Sequence, residues 1–291
     1  MHRPSNKRKT PPSPQYPASP APALVVTTAA DAVCRECLPS HGSALPHVVA
    51  LLAAFLDPLP RENQLFKACK IGYSTRVIAI LAARDPYPNP FRYNVVQAAA
   101  RAGHVHILRW LSENDEGRGE WQLASQSAAM YGRLETIKWL HENRKHRWTT
   151  AAMNLAALKG HLDIVQWLHA NREEGCTVEA MDEAASHGHL DVVRWLHENR
   201  QEGCTAKAMD EAASHGHLDV VRWLHENRQE GCTAKAMDEA ASHGHLDVVR
   251  WLHENRQEGC TAKALDCATE RGHLEVVQWL RANRGDTSHL P

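Results

Sequence analysis

Four sets of residues in this 291-residue chain have types and spacings that could do chemistry. Cys34 and Cys37 form a Cys-x-x-Cys pair with His41 and His47 downstream, which is half of a zinc site or a redox dithiol. A zinc site needs a second ligand pair brought close, and a redox dithiol needs a strand–helix–strand setting. Neither surrounds this pair, so it reads as incidental. His187 with His189, His215 with His217, and His243 with His245 flank glycines and could chelate a cation. Each pair lacks an obvious third ligand, so these rings are expected to hydrogen-bond the turn backbone, and no metal is expected. Asp210 and Glu211 are adjacent carboxylates of the kind used in acid–base catalysis, but they recur in three units. A repeated charged stripe is what a solvated helix face needs. The chain has no Gly-rich phosphate loop, no Gly-x-Ser-x-Gly and no His-Glu-x-x-His, so neither catalysis nor a cofactor is expected.

The fourth set is a column of thiols, Cys176, Cys204, Cys232 and Cys260, with Trp148 in the same register upstream. Stacked helix layers lie about 8–10 Å apart, beyond the roughly 7 Å between Cα atoms that a disulfide spans. Thiols packed between units are therefore expected, and with them a reducing compartment.

These columns exist because the chain repeats. Gly188 to His215 reads GHLDVVRWLHENRQEGCTAKAMDEAASH, and Gly216 to His243 is an identical copy. Near copies run from Gly160 to His187 and from Gly244 to Arg271, and weaker echoes begin at Gly72, Gly103, Gly132 and Gly272, giving eight units. Within one unit, Met209, Ala212 and Ala213 mark one face of a short helix, opposite Lys207, Asp210, Glu211 and Ser214. Thr205 suits its N-cap, and Gly216 stands where a chain leaving a helix needs positive φ. A second helix follows from about Leu218 to Arg228, with Val220, Val221, Trp223 and Leu224 as its buried stripe. No strand-like alternation appears in the period, so each unit is helix–turn–helix. The tryptophan column (Trp110, Trp139, Trp167, Trp195, Trp223, Trp251 and Trp279) is expected to be core rather than a base-stacking platform, since no basic groove accompanies it.

The segment Ala-Ala-x-x-Gly-His-Leu-Asp-Val-Val-x-Trp-Leu resembles the ankyrin repeat, and the match recurs in register over residues 62 to 284. The resemblance implies an all-α, ankyrin-like helix-turn-helix solenoid of paired antiparallel helices. Two departures matter. The ankyrin period is about 33 residues and this one is 28, so the connections between units should shrink to tight turns. Lys207, Ala208, Met209 and Asp210 stand where the Thr-Pro-Leu-His motif would be, so its hydrogen-bond ladder is expected to be absent.

The remaining chain divides around this array. Residues 1–44 read as a disordered, Pro-rich and basic tail without the apolar mass to offset its ordering entropy. Lys7-Arg8-Lys9 could direct nuclear import or dock an acidic partner; a solubilising tail is the plainer reading. Residues 23–33 are mildly apolar, but a Pro-rich lead before them makes a poor secretory signal. Residues 45–61 form an amphipathic helix over Val48, Val49, Leu51, Leu52, Phe55 and Leu56, which reads as a cap on the solenoid end. Its Leu-Pro opening and Leu-Asp-Pro close also resemble the start of an F-box. Irregular connections at Asp85–Pro90 and Ser112–Gly119 interrupt the early units, and residues 285–291 form a C-terminal tail.

Thirty-three basic and 34 acidic residues leave the chain near neutrality, with no push toward nucleic acid or membrane. No apolar run approaches the length of a membrane span. The reading is a cytoplasmic monomer that binds another protein on the concave face of the solenoid. The ankyrin resemblance implies contacts on the exposed side of the first helix and just before the Gly-His pair. In this chain those are Asp182, Ser186, His187, Lys207, Asp210, Glu211, Ser214, His215, Lys235, Asp238, Glu239, Ser242 and His243. The alternative is a ubiquitin-ligase substrate receptor that docks through the helix at 45–59.

Overall fold

A computed structural model describes residues 61–84, 94–114, 121–144 and 147–283. The basic tail, the Cys34–Cys37 pair, the helix at 45–59, the connection Asp85–Pro90, most of the connection at 112–119 and the last residues lie outside them. The described residues form sixteen helices in eight consecutive pairs. The pairs are α1 Arg61–Ile71 with α2 Thr75–Arg84, α3 Val95–Ala102 with α4 Val105–Asn114, α5 Trp121–Met130 with α6 Leu134–Asn143, and α7 Ala151–Leu158 with α8 Leu162–Asn171. They continue with α9 Val178–Ser186 and α10 Leu190–Asn199, α11 Ala206–Ser214 and α12 Leu218–Asn227, α13 Ala234–Ser242 and α14 Leu246–Asn255, and α15 Ala262–Glu270 and α16 Leu274–Asn283. No described strand interrupts them, and no described helix is long and apolar enough to cross a membrane. The fold is an all-α, ankyrin-like solenoid of helix pairs.

Each unit builds itself from local signals. Thr205 takes an extended backbone and its side-chain oxygen accepts the Lys207 amide, which caps α11. Thr177, Thr233 and Thr261 do the same for their helices. Gly216 then turns the chain at φ 79°, where the Gly216 and His217 amides donate back to Ala213 and Ala212. Asp219 lies in the first turn of α12 and His225 in the last, both favourable to the helix dipole.

The two helix columns stack differently. First helices pack tightly on first helices along the rod, whereas successive second helices touch only sparsely. The reason is side-chain size. Ala184, Ala185, Ala212, Ala213, Ala240 and Ala241 are fully buried in the first column and let the backbones approach. The second column holds Val220, Val221 and Leu224 in the core and wedges a tryptophan and a histidine between neighbours. A stack held closer along one column curves toward it, so the first helices line the inner side.

The tryptophan column departs from expectation. Trp121 and Trp139 are buried, but Trp110, Trp167, Trp195, Trp223, Trp251 and Trp279 are half-buried and pack on the margin of the core. Val220, Val221 and Leu224 already fill the inward stripe of α12, so Trp223 falls one residue to its side, where the neighbouring second helix meets it. There His197 of the preceding unit sets its ring edge-on to Trp223, with centroids 5.2 Å apart at 84°. The same contact recurs from His141–Trp167 to His253–Trp279.

Candidate functional site

A first helix inside the stack has neighbours on three sides: its own second helix and a first helix before and after it. Only one narrow stripe stays outside. On α11 that stripe is Lys207, Glu211 and His215, four residues apart along the helix, with Lys207 and His215 exposed and Glu211 half-exposed. On α13 it is Lys235, Glu239 and His243, and on α9 it closes with His187. Seven of the thirteen candidate partner-binding residues therefore lie together on the inner surface.

The other six do not. Asp182, Asp210 and Asp238 are 4%, 5% and 7% exposed, and Ser186, Ser214 and Ser242 are also buried. The expectation that these aspartates face solvent is wrong, because a two-faced reading of the helix counts one packed side where the stack supplies three. Asp210 is held by the next unit: one carboxylate oxygen accepts the Thr233 amide at 2.8 Å and the other accepts the Thr233 hydroxyl at 2.7 Å. Asp182 binds Thr205 and Asp238 binds Thr261 in the same way. Asn154 takes the place of the carboxylate one unit earlier, accepting the Thr177 amide and donating to the Thr177 hydroxyl. Burial pushes the Asp182 carboxyl above its ordinary range, while the Thr205 bonds pull it back. So a ladder does run between the units. It is built from an aspartate and the N-cap threonine of the next helix, in place of the missing motif. The 23-residue spacing of Asp182, Asp210 and Asp238 from a capping threonine was the available signal.

Charges on the outer stripe also link units. Lys207 reaches back to Glu183 and Lys235 to Glu211, each at 2.8 Å. Ion pairs so open to solvent on the lysine side add little to the stability of the rod. Each pairing raises the lysine's pKa, and the bond from Lys235 lowers that of Glu211.

The histidine pairs divide into two roles. His187, His215 and His243 are exposed, and their Nδ1 atoms donate to the carbonyls of Glu183, Glu211 and Glu239 at 2.9–3.0 Å. The second histidine of each pair crosses to the preceding unit. Where Gly216 lies, a Cβ would stand 2.6 Å from His245 Nδ1, so the glycine makes room for the ring as well as for the turn. His189 and His217 sit in the same way over Gly160 and Gly188. The pKa of each inner ring is lowered, first by burial and next by the neighbouring outer histidine. The rings thus hydrogen-bond turn backbone as the sequence suggests, and half of them also seal the joint between layers.

On the other edge, Arg200 grips Glu202 with Nε and Nη2 and donates through Nη1 to His169 Nδ1 at 3.3 Å. Arg228 and Arg256 repeat this with Glu230 and His197, and with Glu258 and His225. The thiol column lies beneath. Cys176, Cys204, Cys232 and Cys260 are in no disulfide, and burial pushes Cys176, Cys204 and Cys232 up to about 11. A thiol so far from its thiolate is packing material rather than a nucleophile.

A family model described as ankyrin repeats in many copies matches residues 126–169, 181–225 and 237–281. No curated protein matches the chain. Similar solved structures include the human ASB11 ankyrin repeat domain, which is 19% identical over 73% of this chain and 97% of that one, with a TM-score of 0.36. With helix pairs stacked in register, Gly-His turns sealing most of the joints and the family model matching three stretches of the array, the chain belongs to the ankyrin-repeat proteins, in a form with a 28-residue period.

Proposed function

We propose that this chain is a non-catalytic protein-binding module that holds a partner against the inner surface of the rod. The observation that carries the reading is the division of polar groups on the first helices. Asp182, Asp210 and Asp238 are consumed by contacts between units. Lys207, Glu211, Lys235 and Glu239 recur at one-layer intervals on the outside and join units only through ion pairs, beside the exposed rings of His215 and His243, which bond the ends of their own helices. Regular spacing lets these side chains act jointly on an extended partner. The Cys176 and Cys204 thiols are buried and the carboxylates of the ladder are occupied, so these groups are committed to structure.

Affinity capture with the immobilised chain tests this. Lys207→Ala, Glu211→Ala, Lys235→Ala and Glu239→Ala combined should lose the captured protein while far-ultraviolet circular dichroism stays unchanged. Asp191→Asn, Asp219→Asn and Asp247→Asn, exposed on the second helices, should retain it. Loss in the second set alone would place the working surface on the convex side.

A further inference from the structure

The first helices change character halfway along the rod. Across the later layers, Glu183 meets Lys207 and Glu211 meets Lys235 on the inner surface. Counted back from the turn glycines, the same positions on α3, α5 and α7 hold Ala98 with Leu123 and Ser127 with Ala151. Ala98 and Ser127 are buried, while Leu123, Ala151 and Leu155 are half-buried. The ion-pair rail thus gives way to a shallow apolar trough. The charge changes too. α3, α5 and α7 contain no Asp or Glu, whereas α9, α11 and α13 each contain both. Within α3 to α8 the carboxylates (Glu113, Glu135, Glu142 and Asp163) all lie on second helices. Glu179, the first carboxylate of the described inner stripe, accepts from Asn154 at 3.1 Å.

The rim of this trough is basic. Arg101, Arg133 and Lys159 stand beside the turn glycines of three consecutive layers, all exposed. None of the three forms an ion pair with a described residue. Arg101 lays its guanidinium over the exposed ring of Tyr131, 4.1 Å from the centroid. Arg133 Nε donates to the Arg101 carbonyl at 3.1 Å, and a Cβ on Gly103 would stand 3.0 Å from Arg133 Cδ. The arginine stem therefore seals this joint as histidine rings do elsewhere, and its charge stays at the surface.

We infer that this stretch is a docking seat for an acidic peptide segment of another protein that carries aliphatic anchors. The anchors rest on Leu123 and Leu155, and the carboxylates meet Arg101, Arg133 and Lys159. The inference extends the protein-binding reading to a second stretch and does not draw on the residues of α11 and α13. Cations without opposing carboxylates attract an acidic segment and repel a basic one. Guanidinium groups suit carboxylates through their planar fork, and an exposed tyrosine gripped by arginine is a ready anchor point. An apolar trough between the cations favours a peptide over nucleic acid, whose backbone supplies phosphates and no aliphatic groups. Layers stand about 8–10 Å apart, so three of them offer a seat matched by a helix of about 12 residues.

Fluorescence anisotropy with the full chain and a labelled peptide of four Glu-Leu-Leu-Glu repeats tests the seat. Arg101→Gln with Lys159→Gln should weaken binding at least about tenfold. Adding Arg133→Met, which keeps the stem over Gly103, should weaken it further. Arg194→Gln with Arg222→Gln, exposed on second helices, removes equal charge and should leave binding unchanged. A Glu-Ser-Ser-Glu peptide should bind the unaltered chain at least about tenfold more weakly, since it lacks the anchors. That comparison needs no variant to fold. Binding that survives loss of the three cations, or a serine peptide that binds as well as the leucine one, overturns the seat. So does binding lost only with Lys207→Gln and Lys235→Gln, which would place the peptide on the later layers. If neither peptide binds, the acidic-segment assignment fails, and the capture experiment decides separately whether the rod binds protein. A single-stranded oligonucleotide that displaces the leucine peptide would overturn a peptide in favour of nucleic acid.

Discussion

The layers at 188–243 and the last pair, α15 with α16, share a design and live in different surroundings. Inside the rod, Asp210 is buried with both oxygens bonded to Thr233. In the last layer its counterpart Asp266 is exposed. Ala213 and Ser214, buried in the interior, become Thr269 and Glu270, both exposed. His245 crowds Gly216, whereas nothing lies within 4 Å of a Cβ on Gly272. Leu218 is packed against the core, but Leu274 is 68% exposed. The difference teaches that burial here is conferred by the next layer and not by the residue. It also teaches that the last unit carries polar side chains where the others carry joints, as a terminal layer must.

Substituting matched residues in the two places turns this contrast into numbers. The largest effect should come from the glycines. Gly272→Ala pays only for left-handed backbone, about 1–2 kcal/mol. Gly216→Ala adds a clash with His245, another roughly 1–3 kcal/mol of overpacking. Thermal midpoints of the two variants should differ clearly, and equal midpoints would show that the histidine swings away freely. Next comes the ladder. Asp210→Ala removes two bonds to a carboxylate and strands the Thr233 donors, for about 2–3 kcal/mol, while Asp266→Ala should stay within about 0.5 kcal/mol. Asp210→Asn should fall between them, because Asn154 already performs this task. Urea midpoints check all three.

The smallest effect is the pH dependence of the joints. His189, His217 and His245 have folded pKa values lowered from 6.5. Above 6.5 they are neutral folded or unfolded, and their contribution is fully present. As pH falls below 6.5 the unfolded chain takes up protons first, so stability declines until the folded values are passed. Melting temperature should thus drift down from pH 7 toward pH 5, before the lowered carboxyls of Glu202, Glu230 and Glu258 come into play below 4.5. His189→Gln, His217→Gln and His245→Gln together should flatten the upper part of that drift.

The period, the helix boundaries, the threonine caps and the turn glycines were all legible, because each rests on local geometry inside one unit. Thr205, Met209 and Gly216 need no knowledge of a neighbour to be placed correctly. What escaped the sequence depends on the neighbour. Asp210 looks like a surface carboxylate on a helical wheel and becomes interior only when Thr233 arrives beside it. Trp223 looks like core by composition, yet the stripe of Val220, Val221 and Leu224 leaves it at the margin, shared with His197. The paired histidines could be assigned to backbone hydrogen bonding, but not divided into exposed and sealing rings. That division follows from Gly188, Gly216 and Gly244 being covered by the next unit's ring.

The seam at His215–Gly216 has the same residues on either side as the seam at His243–Gly244 for most of a unit. The carboxylate–threonine bonds across it recur with the same partners, from Asp182–Thr205 to Asp210–Thr233. A chain gaining or losing one such copy would meet no new surface and break no contact, because the specialised layer stays at its own end. Copy number in this stretch is therefore a length setting that inheritance can change in a single step. What it alters is the reach of the molecule: how many rings and charges it lays along whatever it holds.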